Sequence, residues 1–381
     1  MAPRPAARTD GAGWRLAGPA VLAAGAALLA TGEPRAASCP DPFAFLGPSI
    51  VVSGKERQKL DAGDAIVRVL AAEGREIAVL GAAAVKIDGD RLVAWMRRIE
   101  DLKKSEHVPA VGRFSEPPVL SDLDGHTLDD RDLDHLRQCR PGNCDLKLSA
   151  GEIARMRQVL AAAGTQWKPA AQEAFRRVML DRVLAYRAHG LAGIETYADG
   201  HTDRSLPEIA SALLDRSPYL GAGMPALVEH LARYPNVPLP RSESFLYWSQ
   251  EEFGGRPVTS VTHVTMVRSQ TAGLPDALVA GRQVFATHYQ NGSLSLTLLL
   301  RGCPGPPHYL TYVSRSEVDV IRGLFGWLAR RLIQGRVEDG AVEVLEGLRD
   351  RLARPPGSTG AAAPAPASGR EFSQRLERRR P

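Results

Sequence analysis

The stretch RQVFATHYQNGSLSLTLLL, residues 282–300, decides how the second half of the chain is read. Asn291-Gly292 is its strongest hairpin signal, because both residues tolerate the positive φ that a two-residue turn requires. Strands over 282–290 and 293–300 then flank the turn. With Gln290 opposite Ser293, Tyr289 faces Leu294, Thr287 faces Leu296 and Phe285 faces Leu298. That face is apolar. The other holds His288, Ala286, Val284, Ser295, Thr297 and Leu299, which makes His288 a partly exposed strand histidine.

Strand character extends to both sides. Ser244–Ser249 contains Phe245, Tyr247 and Trp248, and residues 258–267 are rich in Val and Thr. His308–Ser314 is a further strand. β-Branched and aromatic residues suit a pleated, half-buried surface. Ser314-x-x-Glu317 then has capping-box spacing and predicts the start of a long helix. Val320, Ile321, Leu324, Phe325, Leu328 and Leu332 form its first apolar stripe. Val337, Ala341, Val344, Leu345, Leu348 and Leu352 continue it. Unbroken from 316 to 353, the helix would be about 57 Å long. Its interior glycines each cost up to about 1 kcal/mol, so a kink is expected near Gly335–Gly340. Pro355-Pro356 ends it, and 355–381 reads as a disordered tail.

Toward the N-terminus, 64–70 and 76–87 read as two strands around Gly74. An amphipathic helix over 89–104 follows, with Leu92, Trp95, Met96, Ile99 and Leu102 on one face. Val108–Phe114 is a third strand, stopped by Pro117-Pro118. From 149 to 235 the period is helical. Ser149-x-x-Glu152 and Ser205-x-x-Glu208 are capping boxes, and 168–189 carries Phe175, Val178, Met179, Val183 and Leu184 on an apolar face. The acidic run 121–135 fails as an EF-hand: with Gly125 at loop position six, Leu120 and Arg131 occupy positions that need carboxylates. Thr127 is read as a helix cap, with Asp129 and Asp130 in the positive first turn.

The chain has 381 residues, 44% hydrophobic and 24% charged, with a net charge of +5. That composition excludes a disordered chain, a collagen-like fibre and a small disulfide scaffold, and a single long apolar run excludes a polytopic membrane protein. Residues 1–38 carry a net +2 and 355–381 a net +3, so the body is about neutral. A neutral body has no electrostatic footprint for nucleic acid. Residues 1–38 read as a signal peptide: basic residues to Arg15, an apolar run from Leu16 to Ala30, then Ala36 and Ser38 before Cys39. The run falls short of the roughly 20 residues that span a bilayer. A retained anchor and lipid attachment at Cys39 are the alternatives. The expected location is periplasmic or secreted. Cys139 and Cys144 enclose Arg140-Pro141-Gly142-Asn143, and Pro-Gly turns the chain back so that the two form a local disulfide. Four intervening residues, not two, argue against a redox pair. Cys39 and Cys303 remain, to pair or to stay separate.

Two strands, a helix, a run of strands and one long C-terminal helix: this order resembles the helix-grip fold. START lipid-transfer domains, SRPBCC-like proteins and the plant-allergen-like ligand-binding proteins share it. The resemblance covers about 57–120 and 243–353. It implies an α+β fold in which a curved antiparallel sheet wraps around the long C-terminal helix, with a cavity between them. Residues 127–235 are then a large helical insertion. Tyr247-Trp248-Ser249 and Ser260-Val261-Thr262-His263-Val264 also resemble segments of an exported bacterial family to which no activity is attached. A sheet with an apolar face must cover it, and one helix covers only about 10 Å. The expected cavity lining is Tyr247, Phe285, Tyr289, Leu296, Leu298, Tyr312, Phe325 and Leu328. The alternative is that these side chains fill a close-packed core.

No Gly-x-Ser-x-Gly elbow, His-Glu-x-x-His helix or Gly-x-x-x-x-Gly-Lys loop occurs. The expected function is therefore that of an exported carrier of a small apolar molecule or lipid, without turnover. An enzyme on the same scaffold would use His263 and His288, or Glu195, His201 and Asp203 in the 195–203 loop. A solid-core envelope interaction protein is the third reading. No metal or cofactor is expected, and membrane contact only through the signal segment or a lipid anchor.

Overall fold

The hydrophobic alternation of the chain is resolved by one eight-stranded antiparallel sheet. Its strands are β1 (Ile66–Leu70), β2 (Glu76–Val85), β3 (Ala110–Arg113), β4 (Ser242–Glu252), β5 (Pro257–Arg268), β6 (Ala277–Ala286), β7 (Gln290–Leu300) and β8 (His308–Val318). The spatial order is β1-β2-β8-β7-β6-β5-β4-β3. The computed structural model describes residues 39–200, 205–252, 256–303, 305–319, 321 and 342–357. The signal segment, most of the 316–341 stripe and the tail beyond 357 lie outside the described residues, as do Phe325 and Leu328.

Helices cover the first face of the sheet. α4 (Asp130–Gln138), α5 (Ala150–Ala162) and α6 (Trp167–His189) share a core with Leu246, Trp248, Val261, Val284 and Phe285 of β4–β6. α1 (Gly54–Ala62), α7 (Leu206–Asp215), α8 (Pro218–Gly223) and α9 (Pro225–Arg233) cover Leu294, Leu296 and Leu298 of β7 and Val313 of β8. The helical stretch between β3 and β4 thus packs on the sheet itself. Two of the three expected capping boxes are present, at Ser149 and Ser205.

On the second face, α2 (Gly89–Met96), α3 (Ile99–Lys103) and helix 342–353 meet Phe245, Val264, Met266, Val279, Leu299 and Leu310. The single helix expected over 89–104 is two helices, broken at Arg97-Arg98, yet Leu92, Trp95, Met96, Ile99 and Leu102 are all buried.

Three local expectations are overturned. First, Asn291-Gly292 is not the hairpin turn. Both lie inside β7, and the turn is Thr287-His288-Tyr289, with Tyr289 at φ 61°. Leu298 pairs with Leu278 and Leu296 with Ala280, not with Phe285 and Thr287. Asn291 is buried, with its Oδ1 accepting from Lys147 Nζ at 2.7 Å. Gly292 serves close packing: a Cβ there would stand 2.8 Å from Ile209 Cγ2 of α7. Second, Ser314 to Glu317 continue β8, because β2 and β7 supply ladder partners on both sides. Third, Asp129, not Thr127, caps α4, accepting from Asp132 N at 2.7 Å.

Cys139 pairs with Cys144 as expected, and Cys39 pairs with Cys303. With its sulfur in that bond, Cys39 offers no thiol for a lipid. Two disulfides fit an oxidising, exported setting. No helix among the described residues is long and apolar enough to cross a membrane.

Candidate functional site

Successive side chains on a strand point to opposite faces. On β7 the chain places leucines toward the helices of the first face, and across β5–β8 a set of small polar residues faces the second. Ser260 and Thr262 come from β5, Gln283 from β6, Ser293 and Ser295 from β7, and Ser314 and Ser316 from β8. Together they floor a half-enclosed cavity of about 190 Å³. Gly281 belongs to the same floor, and a Cβ there would stand 2.6 Å from Ser295 Oγ. Some hydroxyls are already engaged: Ser316 donates to Ser293 Oγ at 2.9 Å, and Ser295 to the backbone Gly281 O at 3.3 Å.

One wall carries a charge pair. Lys103, at the end of α3, donates to Glu251 of β4 at 2.5 Å and reaches the Tyr247 hydroxyl at 3.4 Å. Burial opposes the lysine's charge, but the Glu251 carboxylate outweighs it and holds the ammonium above its ordinary pKa. Lys103 in turn holds Glu251 below the usual carboxylate range. Tyr312 stands beside this pair in the middle of β8, its hydroxyl pushed up by burial. It nevertheless keeps 37% of its surface open, as expected of a side chain at the bottom of a concavity.

At the other end lies His288, with Tyr289 and Gln290. His288 is 2% exposed, not a partly exposed strand residue. Its Nδ1 meets Asp145 O at 2.9 Å and its Nε2 meets Asp132 Oδ2 at 3.1 Å. Arg256 bridges the two carboxylates, bonding Asp132 directly and Asp145 Oδ2 at 2.6 Å. His135 Nδ1 lies 2.5 Å from Asp145 Oδ2. Asp132 is on α4 and Asp145 directly follows Cys144, so the local disulfide returns the chain to the helix that it leaves. Both acids are held below the ordinary range. Burial opposes their ionisation, and it is outweighed by His288 and Arg256 at Asp132 and by Arg256 and His135 at Asp145.

Asp132, Asp145 and His288 offer ligand atoms within 4.8 Å of one another, a possible metal set. The buried guanidinium of Arg256 already supplies the positive charge that these acids need, and both ring nitrogens of His288 are engaged. The cluster is therefore a closed ion-pair network.

Of the expected lining residues, Tyr247, Tyr289 and Tyr312 meet at the cavity. Phe285, Leu296 and Leu298 do not: they sit in the apolar core of the first face. His263 and His288 belong to separate networks. His263 Nδ1 lies 2.8 Å from the Tyr186 hydroxyl, which also accepts from Arg282 Nη2 at 2.6 Å. Burial first, and then the Arg282 charge, hold His263 well below its ordinary pKa. His201 and Asp203 lie outside the described residues. Their neighbour Asp199, not singled out in the sequence, is buried and accepts from Lys147 Nζ at 2.9 Å. The same ammonium lies 2.7 Å from Asp319, at the exit of β8.

The hydroxyl floor was missed by reading for aromatic and aliphatic linings. Its signal was present as Ser293-x-Ser295 and Ser314-x-Ser316, serines at period two on strands that proved to be neighbours. No family model, no curated protein and no solved structure matches the chain.

Proposed function

We propose that this is an exported protein that binds a small molecule, without turnover, in the cavity on the second face of its sheet. The observation that carries the reading is the floor. Its serines and threonines are half-buried and Gln283 is buried. Solid packing of a sheet centre would place Leu or Val at those positions, whereas a few convergent polar groups suit a ligand site. In this reading the curved sheet wraps the long C-terminal helix in helix-grip fashion. Support comes from the order β2-β8-β7-β6-β5-β4-β3, with α2 and α3 inserted between β2 and β3. Further support comes from Leu345 and Leu352, which pack on the cavity-side face. The described lining favours a ligand with polar groups over a wholly apolar one, because Phe285, Leu296 and Leu298 face away from it. An enzyme built on His263 and His288 together gains no support, since the two rings serve different networks.

Native mass spectrometry of the purified protein, with extraction of whatever it retains, tests the reading. The expected result is a small-molecule adduct that survives gentle ionisation and disappears on denaturation. The reading fails if no adduct or extracted compound is found and a broad small-molecule library leaves the melting temperature unchanged.

A further inference from the structure

We infer, resting on that binding reading, that the ligand is an uncharged, ring-sized polyol: a monosaccharide, or one sugar unit of a larger molecule. Four observations converge on that chemistry.

The first is the hydroxyl array. Serine and threonine hydroxyls each donate one hydrogen bond and accept two, as do the hydroxyls of a sugar. On neighbouring strands they repeat about every 4.8 Å across the sheet and about every 7 Å along it. Such a grid meets a ligand that carries hydroxyls on several sides, and gives an acyl chain nothing to bind.

The second is an unused donor. Gln283 is 4% exposed and lines the floor, and its Nε2 has no hydrogen-bond partner among the described residues. A buried polar group left unpaired asks for an explanation. As it stands the Nε2 is closed off from the cavity, so a ligand hydroxyl or ring oxygen becomes its acceptor once the amide turns toward the floor.

The third is charge. Lys103 and Glu251 satisfy each other, and Glu252 is exposed. No unpaired cation stands among the described lining residues to receive a carboxylate or phosphate. Anionic ligands are therefore disfavoured, and a neutral ligand leaves the Lys103–Glu251 pair intact.

The fourth is size and shape. A cavity of about 150 Å³ holds benzene. One of about 190 Å³ admits a six-membered ring with polar substituents, whereas most of a long acyl chain would protrude from it. Tyr312 and Tyr247 provide aromatic surface at one wall, against which the C–H face of a sugar ring can lie while its hydroxyls bond the floor.

Saturation-transfer NMR on the full-length secreted protein tests this. The probes are glucose, galactose, mannose, N-acetylglucosamine and inositol, with glucose 6-phosphate and palmitate as contrasting arms. At least one neutral probe is expected to bind. Glucose 6-phosphate should bind about tenfold more weakly than its neutral parent, and Gln283→Leu should weaken the neutral probe by about tenfold. Tyr312→Ala should also lose affinity. Its side chain is more than a third exposed, so this second variant decides the matter if Gln283→Leu fails to fold.

The sugar assignment is overturned if palmitate binds and no neutral probe does, in which case the binding reading survives. It is also overturned if glucose 6-phosphate binds better than glucose, or if folded Gln283→Leu and Tyr312→Ala both bind like the parent. If neither sugars nor palmitate bind and extraction returns nothing, both readings fall.

Discussion

The two faces of one sheet are built from the same strands and behave as different materials. Along β7, Leu294, Leu296, Leu298 and Leu300 point into the helix-covered core, while Ser293 and Ser295 point into the cavity. On β8 the first side is mixed, with Val313 beside the buried Thr311 and Arg315, while Ser314 and Ser316 face the cavity. The first face has its apolar cover from seven helices, so burial is complete and the leucines are dry. The second has such a cover over Leu299 and Leu310, and turns polar where the cavity begins. The difference teaches that a strand's polarity reports what lies above each face. The half-buried polar stretch on the second face is where the proposed ligand would lie.

The most severe way to break this comparison is at the buried charges under the helical cover. Lys147 is 1% exposed and ties Asp199, Asn291 and Asp319 together. Lys147→Met brings two carboxylates together without the ammonium between them. It is expected to cost about 3–5 kcal/mol in denaturant unfolding. A loss below about 1 kcal/mol would show that the network does not hold the β8 exit to the helical layer.

Adjacent substitutions on β7 sharpen the comparison directly. Leu296→Ala removes a dry core side chain and should cost about 2–5 kcal/mol. Ser295→Ala, one residue away, should cost less than about 1 kcal/mol. Equal costs in urea titrations would mean that the two faces are packed alike.

Acid should weaken the first face. His126 is wholly buried between Phe175 and Trp248, and its Nε2 lies 3.0 Å from Thr259 Oγ1. Burial, with the nearby Arg176 charge, lowers its pKa from 6.5 to about 4. Between those values the unfolded chain takes up a proton that the folded ring refuses, so stability falls as pH falls. The full loss is roughly 3 kcal/mol, complete near pH 4. His263 is shifted in the same direction, so the decisive measurement is a difference. His126→Asn should flatten the decline between pH 6.5 and 4 relative to the parent, and an unchanged slope would remove His126 as its source.

Much of the fold was legible where the signal is local. Ser149 and Ser205 cap their helices because the partner glutamate lies three residues away, within reach before any tertiary contact forms. The Cys139–Cys144 bridge closes over a Pro-Gly bend for the same reason. The strands were legible from their period, although not their registers. The candidate site was partly legible: Tyr247, Tyr289 and Tyr312 line one cavity, while Phe285, Leu296 and Leu298 turn the other way. The error came from one turn. Asn291-Gly292 carries a strong local preference, but Lys147 claims the asparagine and Ile209 needs the space that the glycine leaves. Moving the turn to Thr287-His288-Tyr289 changed the partner of every residue downstream.

The amino-acid sequence by itself determined the α+β class, the capped helices, the strands and the short disulfide, because each depends on residues within a turn or two of one another. Only the tertiary structure decided the order of the strands, the Cys39–Cys303 bridge across 264 residues, and the meeting of Asp132 and Asp145 with Arg256 and His288. Only it brought the serines of β5, β7 and β8 to one floor. Those depend on which distant segment covers each face of the sheet, a competition settled by burial and by charge satisfaction throughout the folded chain.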